Sequence, residues 1–206
     1  MFSGCTSLTE APILSAYNLG EFCYGFMFEN CTSLTKPPIL PAFTLSTNCY
    51  NEMFKGCTAL IDPPIMRATT LAPNCCFGMF LDCTSLQSTP KLKATKLAES
   101  CYSFMFQNCT SLQNAYELPA STLEKNCYSA MFIGCTGLEE APLLPANNLV
   151  EGCYNYMFNG CSNLKYIKAL FITPQISPAA TMDWVTGVSK TGTFVKYTHS
   201  EYSDTL

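Results

Sequence analysis

Fourteen cysteines and a single histidine stand in a chain of 206 residues, so thiols are the side chains abundant enough to act as disulfide partners, metal ligands or nucleophiles. Their spacing restricts that chemistry. Seven recur every 26 residues, at Cys5, Cys31, Cys57, Cys83, Cys109, Cys135 and Cys161, and six more keep the same interval at Cys23, Cys49, Cys75, Cys101, Cys127 and Cys153. Only Cys76 lies outside both series, and it is most simply a column cysteine's neighbour standing where other repeats have tyrosine. On a helix, eight residues separate the two columns by about 12 Å, beyond the reach of a disulfide within one repeat. Like cysteines of neighbouring repeats would lie about 5 Å apart at strand spacing, which leaves serial bonds open but strands odd members. Buried free thiols acting as small hydrophobes are the simpler reading. Zinc is poorly served, because no C-x-x-C pair occurs and His199 falls outside the array.

Other chemistry is equally short of parts. There is no Gly-rich phosphate loop and no serine elbow, and Glu139-Glu140 reads as a solvated face rather than an acid pair. Asn30-Cys31-Thr32 and Asn108-Cys109-Thr110 fit the glycosylation pattern, but each asparagine aligns with Gly56 and Gly134 and is explained as a helix-stopping residue. The expectation is a non-enzyme without catalytic residues, metal or cofactor.

The elements that carry these residues follow from the repeat C-Y-x-x-M-F-x-x-C-T-S-L, which returns without insertion or deletion. A fixed period in this range marks units that stack on their neighbours as a solenoid. Leu19, Cys23, Met27, Phe28 and Cys31 lie at i, i+4, i+8, i+9 and i+12, which predicts one apolar stripe on a helix of roughly three turns. Gly4, Asn30, Gly56, Asp82, Asn108, Gly134 and Gly160 precede the second cysteine and suit a left-handed stop, while Pro73 suits a first helical turn. The following segment, such as Lys36 to Ala42, reads as one short strand. Its columns Pro12, Pro38, Pro64, Pro90, Pro142 and Leu14, Leu40, Met66, Leu92, Leu118, Leu144 share the inward face. The intervening column Ile13, Ile39, Ile65, Lys91, Glu117, Leu143 varies freely and is expected to face solvent. Proline removes ladder donors, so the sheet should be irregular.

Helix, cap, C-x-x-L and short strand together resemble the BspA-like leucine-rich repeats of bacterial surface proteins, with M-F-x-x-C-T-S-L where that family has A-F-x-x-C-x-x-L. The resemblance covers residues 1 to 170 or so. It departs in length, the family's commoner unit being about three residues shorter, and in the first cysteine, which replaces an aliphatic residue. It implies an α/β solenoid, a leucine-rich-repeat-like right-handed array with one short parallel strand and one helix per 26-residue repeat. It also implies an adhesive or host-interacting role at the cell surface or in secretion, although no signal peptide is recognisable: Phe2-Ser3-Gly4-Cys5 imitates a lipoprotein box only because the repeat does.

Two domains are expected, a repeat array of six to seven units over 1–170 and a capping segment over 171–206. Met1-Phe2 occupies the Met-Phe column, so the array is read as lacking its N-terminal cap, with self-association through that end as one partner. After the linker-like Thr173 to Pro178, Trp184-Val185-Thr186-Gly187-Val188 and Gly192 to Lys196 alternate like a hairpin that covers the last layer, and that cap could be incomplete. The Trp-Val-x-Gly-Val-x-x-x-Gly-Thr-Phe run is also similar to segments that follow such repeats in surface proteins of gut bacteria.

With 48% hydrophobic and 13% charged residues the chain should fold around a sizeable core, and its net charge of −4 with eleven dispersed Lys and Arg argues against nucleic acid. No apolar run approaches the roughly 20 residues of a membrane span. Two classes remain. One is a protein-binding or adhesion module taking a host or neighbouring surface protein, or a glycan. The other is a structural spacer or receptor-binding segment in a larger fibre or phage assembly. An apolar patch confined to the first half, Ile13, Tyr17, Ile39, Phe43 and Ile65, favours the first class and supplies the candidate binding residues.

Overall fold

A computed structural model describes residues 1–171 and 178–196; the expected linker over Thr173 to Ser177, His199 and the polar tail lie outside them. The repeats stack as layers, each laid on its equivalent 26 residues away. Phenylalanines 2, 28, 54, 80, 106, 132 and 158 form one continuous pile with ring centroids 5.5–5.6 Å apart. Tyr24 and Tyr50 form a second, as do Tyr102, Tyr128 and Tyr154, interrupted where Cys76 stands. Leu34, Leu60, Leu86, Leu112 and Leu138, with the methionines from Met27 to Met157 and most column cysteines, fill the rest of the buried interior.

The expected helix does not form, and with it the reading as an α/β solenoid of leucine-rich-repeat type is overturned. Among the described residues no α-helix occurs, and the one helical element is a 3-10 turn at Pro178–Ala180. In its place each layer carries a ribbon of consecutive reverse turns. Between Ser46 and Cys57 the N–H groups of Cys49, Asn51, Met53, Lys55 and Cys57 each donate to the carbonyl three residues back. The alternate N–H groups, of Asn48, Tyr50, Glu52, Phe54 and Gly56, donate instead to Pro73, Cys75, Phe77, Met79 and Leu81 of the next layer, at 2.8–3.2 Å. Half the ribbon's donors therefore hold the turn and half hold the stack, which accounts for every buried N–H in a segment without helix or regular sheet.

Left-handed residues set the period. Asn48, Glu52 and Gly56 have φ of 56°, 48° and 71°, and the same three columns repeat along the chain. Each is the third residue of a turn, the place where a type II turn needs positive φ. The ribbon thus repeats every four residues. Apolar residues at i, i+4, i+8 and i+12 fit that interval without drift, whereas on an α-helix each step of four overshoots by about 40° and the stripe winds away. Positions 19, 23, 27 and 31 imitated a helix because three short steps are too few to expose the difference.

The second cysteine column is placed by this geometry. The Cys57 thiol donates to the Phe28 carbonyl of the preceding layer at 3.1 Å, and that carbonyl already accepts the Cys31 N–H at 3.0 Å. The pattern holds from Cys31 to Cys161. A small apolar side chain with one weak donor fills the site and occupies the carbonyl's second lone pair.

On the opposite side the expected strand is reduced to isolated parallel bridges, such as Leu40 to Met66 and Thr44 to Thr70. Buried Pro38, Pro64 and Pro90 withhold the donors that would join them. Regular pairing appears only at the end, where β1 (Tyr166–Ala169) lies parallel to β2 (Thr193–Lys196). Thus 193–196 does not close a hairpin on Trp184 to Val188. Those residues form one more turn ribbon, with Tyr154, Tyr156, Phe158 and Gly160 donating to Ala180, Met182, Trp184 and Thr186. The interval is here one residue longer: Gly187 lies against Gly160 and Thr193 against Tyr166. Trp184 packs beside Phe158, Phe171 and Phe194.

Candidate binding face

The bridged segments expose one side of each layer. Within them the backbone is held between layers, Leu40 N–H donating to Ile65 O at 3.0 Å and Arg67 N–H to Leu40 O at 3.3 Å, so side chains alternate across the sheet. Leu14, Leu40 and Met66 point into the core. Between them Ile13, Ile39 and Ile65 are 94%, 53% and 61% exposed, one above another in successive layers. Tyr17 and Phe43, 58% and 52% exposed, stand together at the margin. Ile61 adds a further exposed aliphatic side chain.

Two shallow cavities open on this face. One of about 300 Å³ is lined by Pro12, Ile13, Pro38 and Ile39 and bordered by the interlayer ion pair of Lys36 with Glu10 at 3.0 Å. The other, about 360 Å³, runs from Pro64 and Ile65 to Lys91, Lys93 and Tyr116. Beyond it Lys91 Nζ lies 5.1 Å from the centre of the Tyr116 ring. Further along, Glu139, Glu140, Gln113 and Tyr116 line a polar hollow of about 620 Å³, with Glu139 paired to Lys165 at 3.2 Å. The face therefore passes from apolar through basic to acidic along the stack.

The cations are dispersed along the sequence, but stacking gathers four of them. Arg67 and Lys93 are 26 residues apart and so share a column, Lys91 is one strand period from Lys93, and Lys96 lies in the same layer; all four are exposed. The signal that could have found them was the repeat register itself. A second omission lies on the ribbon side, where Phe22 and Phe26 are exposed with φ of 52° and 57°, a strained conformation for bulky side chains.

Most of the thiols are placed where they react little. All fourteen are unbridged, and twelve are buried, Cys5 and Cys23 being the exposed pair. Burial pushes Cys49, Cys57, Cys127 and Cys161 up to about 12 and Cys153 to about 11, so at neutral pH they hold their protons and lack the thiolate that attacks or ligates. Among the described residues no three His, Cys, Asp or Glu side chains are grouped as a metal site requires, and no helix is long and apolar enough to cross a membrane.

No family model, curated protein or solved structure matches this chain. Neither the fold nor these comparisons lend support to the leucine-rich-repeat or adhesion reading.

Proposed function

We propose that this chain is a non-catalytic, protein-binding module whose contact surface is the bridged face of its first three layers. The observation that carries the reading is the exposed column Ile13, Ile39, Ile65 with Tyr17 and Phe43 beside it. Solvated faces of soluble chains rarely hold contiguous aliphatic and aromatic side chains unless something covers them. A uniform spacer would repeat one surface along its length. Here the same column continues as Lys91, Glu117 and Leu143, so the apolar character is local while the core beneath it stays periodic. The layers underneath provide a rigid base, because each backbone segment is tied to the next by hydrogen bonds and recognition then loses little conformational freedom.

The test is to isolate proteins that bind the wild-type chain, purify one, and rebind it to Ile39→Lys and Ile65→Lys variants. Binding is expected to fall while the free energy of unfolding stays within about 0.5 kcal/mol of wild type, as for surface substitutions. A partner that binds both variants as well as wild type removes this face from consideration.

A further inference from the structure

The apolar strip does not end in neutral surface. Ile65 and Arg67 on one layer, and Lys91 and Lys93 on the next, form a grid of outward side chains two residues apart along the chain and one layer apart across it. Lys96 extends it. Among the described residues the ion pairs are made by Lys36, Lys55, Lys125 and Lys165, which leaves seven cations without a carboxylate within 4.0 Å, and four of the seven, Arg67, Lys91, Lys93 and Lys96, fall in these two layers. Asp62 lines the same cavity as Lys91 and Lys93, and Glu117 follows Lys91 in its column, so cations outnumber acids along this stretch of a chain whose net charge is −4. An unpaired local excess of the minority charge, joined to an exposed apolar strip, has the composition of a surface for a complementary partner.

We propose that this face takes an acidic polypeptide segment, its apolar side chains on Ile13, Ile39 and Ile65 and its carboxylates on Arg67, Lys91 and Lys93. The proposal rests on the protein-binding reading above and adds the chemistry of the partner. A sulfated or uronic glycan would share the cations, but sugar rings stack on open aromatic faces, and the ring beside these cations, Tyr116, already has Lys91 over it at 5.1 Å. The contiguous column Ile13, Ile39 and Ile65 suits Leu, Ile or Phe of a peptide, and the open rings of this face, Tyr17 and Phe43, stand at its margin. A nucleic acid would need a longer basic track and rings on which bases could stack.

The experiment selects a displayed random-peptide library on the immobilised full chain and remeasures the winning peptides on variants. Expected winners combine an apolar cluster with two or more Asp or Glu. Their affinity should drop about tenfold or more on Lys91→Glu/Lys93→Glu, drop on Ile39→Lys, and weaken with added salt. Lys91→Gln/Lys93→Gln gives a milder loss in the same direction, and unchanged thermal unfolding establishes that both pairs remain folded. Apolar winners without acidic residues, lost on Ile39→Lys but untouched by charge reversal, overturn this proposal and leave the protein-binding reading standing. Winners indifferent to both sets of variants overturn both. Salt-dependent retention of a sulfated polysaccharide through Lys91 and Lys93, with no peptide enriched, replaces the acidic segment with a glycan.

Discussion

Replacing Gly78 by alanine separates the turn ribbon from a helix by sign. Gly78 sits at the middle of the apolar segment between Leu71 and Cys83, where a helix would gain roughly 0.5–1 kcal/mol from the substitution. In the ribbon Gly78 has φ of +56°, and an L-residue held there costs roughly 1–2 kcal/mol. The new methyl would also meet Glu52 Cγ at 3.1 Å, a contact the flexible side chain relieves by shifting within its ion pair to Lys55. The expected outcome is a loss of about 1–2 kcal/mol, or a melting point lower by roughly 2–8 °C for a chain of this size, read by thermal and urea unfolding. Gly134→Ala should cost more, because its φ is +72° and its Cβ would also collide with Asn108 Oδ1. That displaces the amide whose Nδ2 donates to Asp82 Oδ1 at 2.9 Å. Gly160→Ala serves as reference, its φ similar but its nearest neighbours ordinary contacts at 3.6 Å. A stabilised Gly78→Ala protein, or equal effects at Gly134 and Gly160, would mean that these glycines do not hold the left-handed turn positions.

Leu40→Lys places an unpaired charge in a buried position and should cost several kcal/mol or unfold the stack, while Ile39→Lys, one residue away and outward, should leave the urea midpoint nearly unchanged; the reverse order would mean a register shifted by one. In native protein a thiol reagent should modify Cys5 and Cys23 quickly and the twelve buried cysteines only on unfolding; denatured, unreduced protein that titrates fewer than about half of its thiols would require disulfides in their place. Stability should also fall on the alkaline side. Above the ordinary thiol value of 9.0 the unfolded chain loses protons that folded Cys49, Cys57, Cys127 and Cys161 keep until about 12, so the folded state binds more protons and each pH step from 9 towards 12 destabilises it. Urea midpoints flat across that window would contradict the burial of these thiols.

The stack was legible because its period is unbroken: the second cysteine column and the leucines after it are buried from Cys31 and Leu34 onward, and the alternation of Ile39 with Leu40 marked which side faces water. The backbone was not, because spacing by four and spacing by 3.6 coincide over three steps. A finer signal was present in Asn48, Asn74, Asn126 and Gly152, each eight residues before another residue type that tolerates positive φ. Phe22, Phe26, Phe104 and Tyr156 obscure it by occupying left-handed positions with bulky side chains. The last ribbon escaped detection because Ala180, Trp184 and Val188 carry none of the repeat's letters and their interval is stretched by one residue. The cationic grid escaped because Arg67 and Lys91 are far apart in sequence and adjacent only once the layers stack.

The most direct test is nuclear magnetic resonance on the segment from Ser46 to Cys57. The turn ribbon should give left-handed φ-dependent couplings at Asn48, Glu52 and Gly56, and amide-to-backbone contacts from Tyr50, Glu52 and Phe54 to residues 75–80 of the next layer. Continuous contacts from each Cα proton to the amides three and four residues on, with negative φ throughout and no signal between layers, would establish a helix and contradict it.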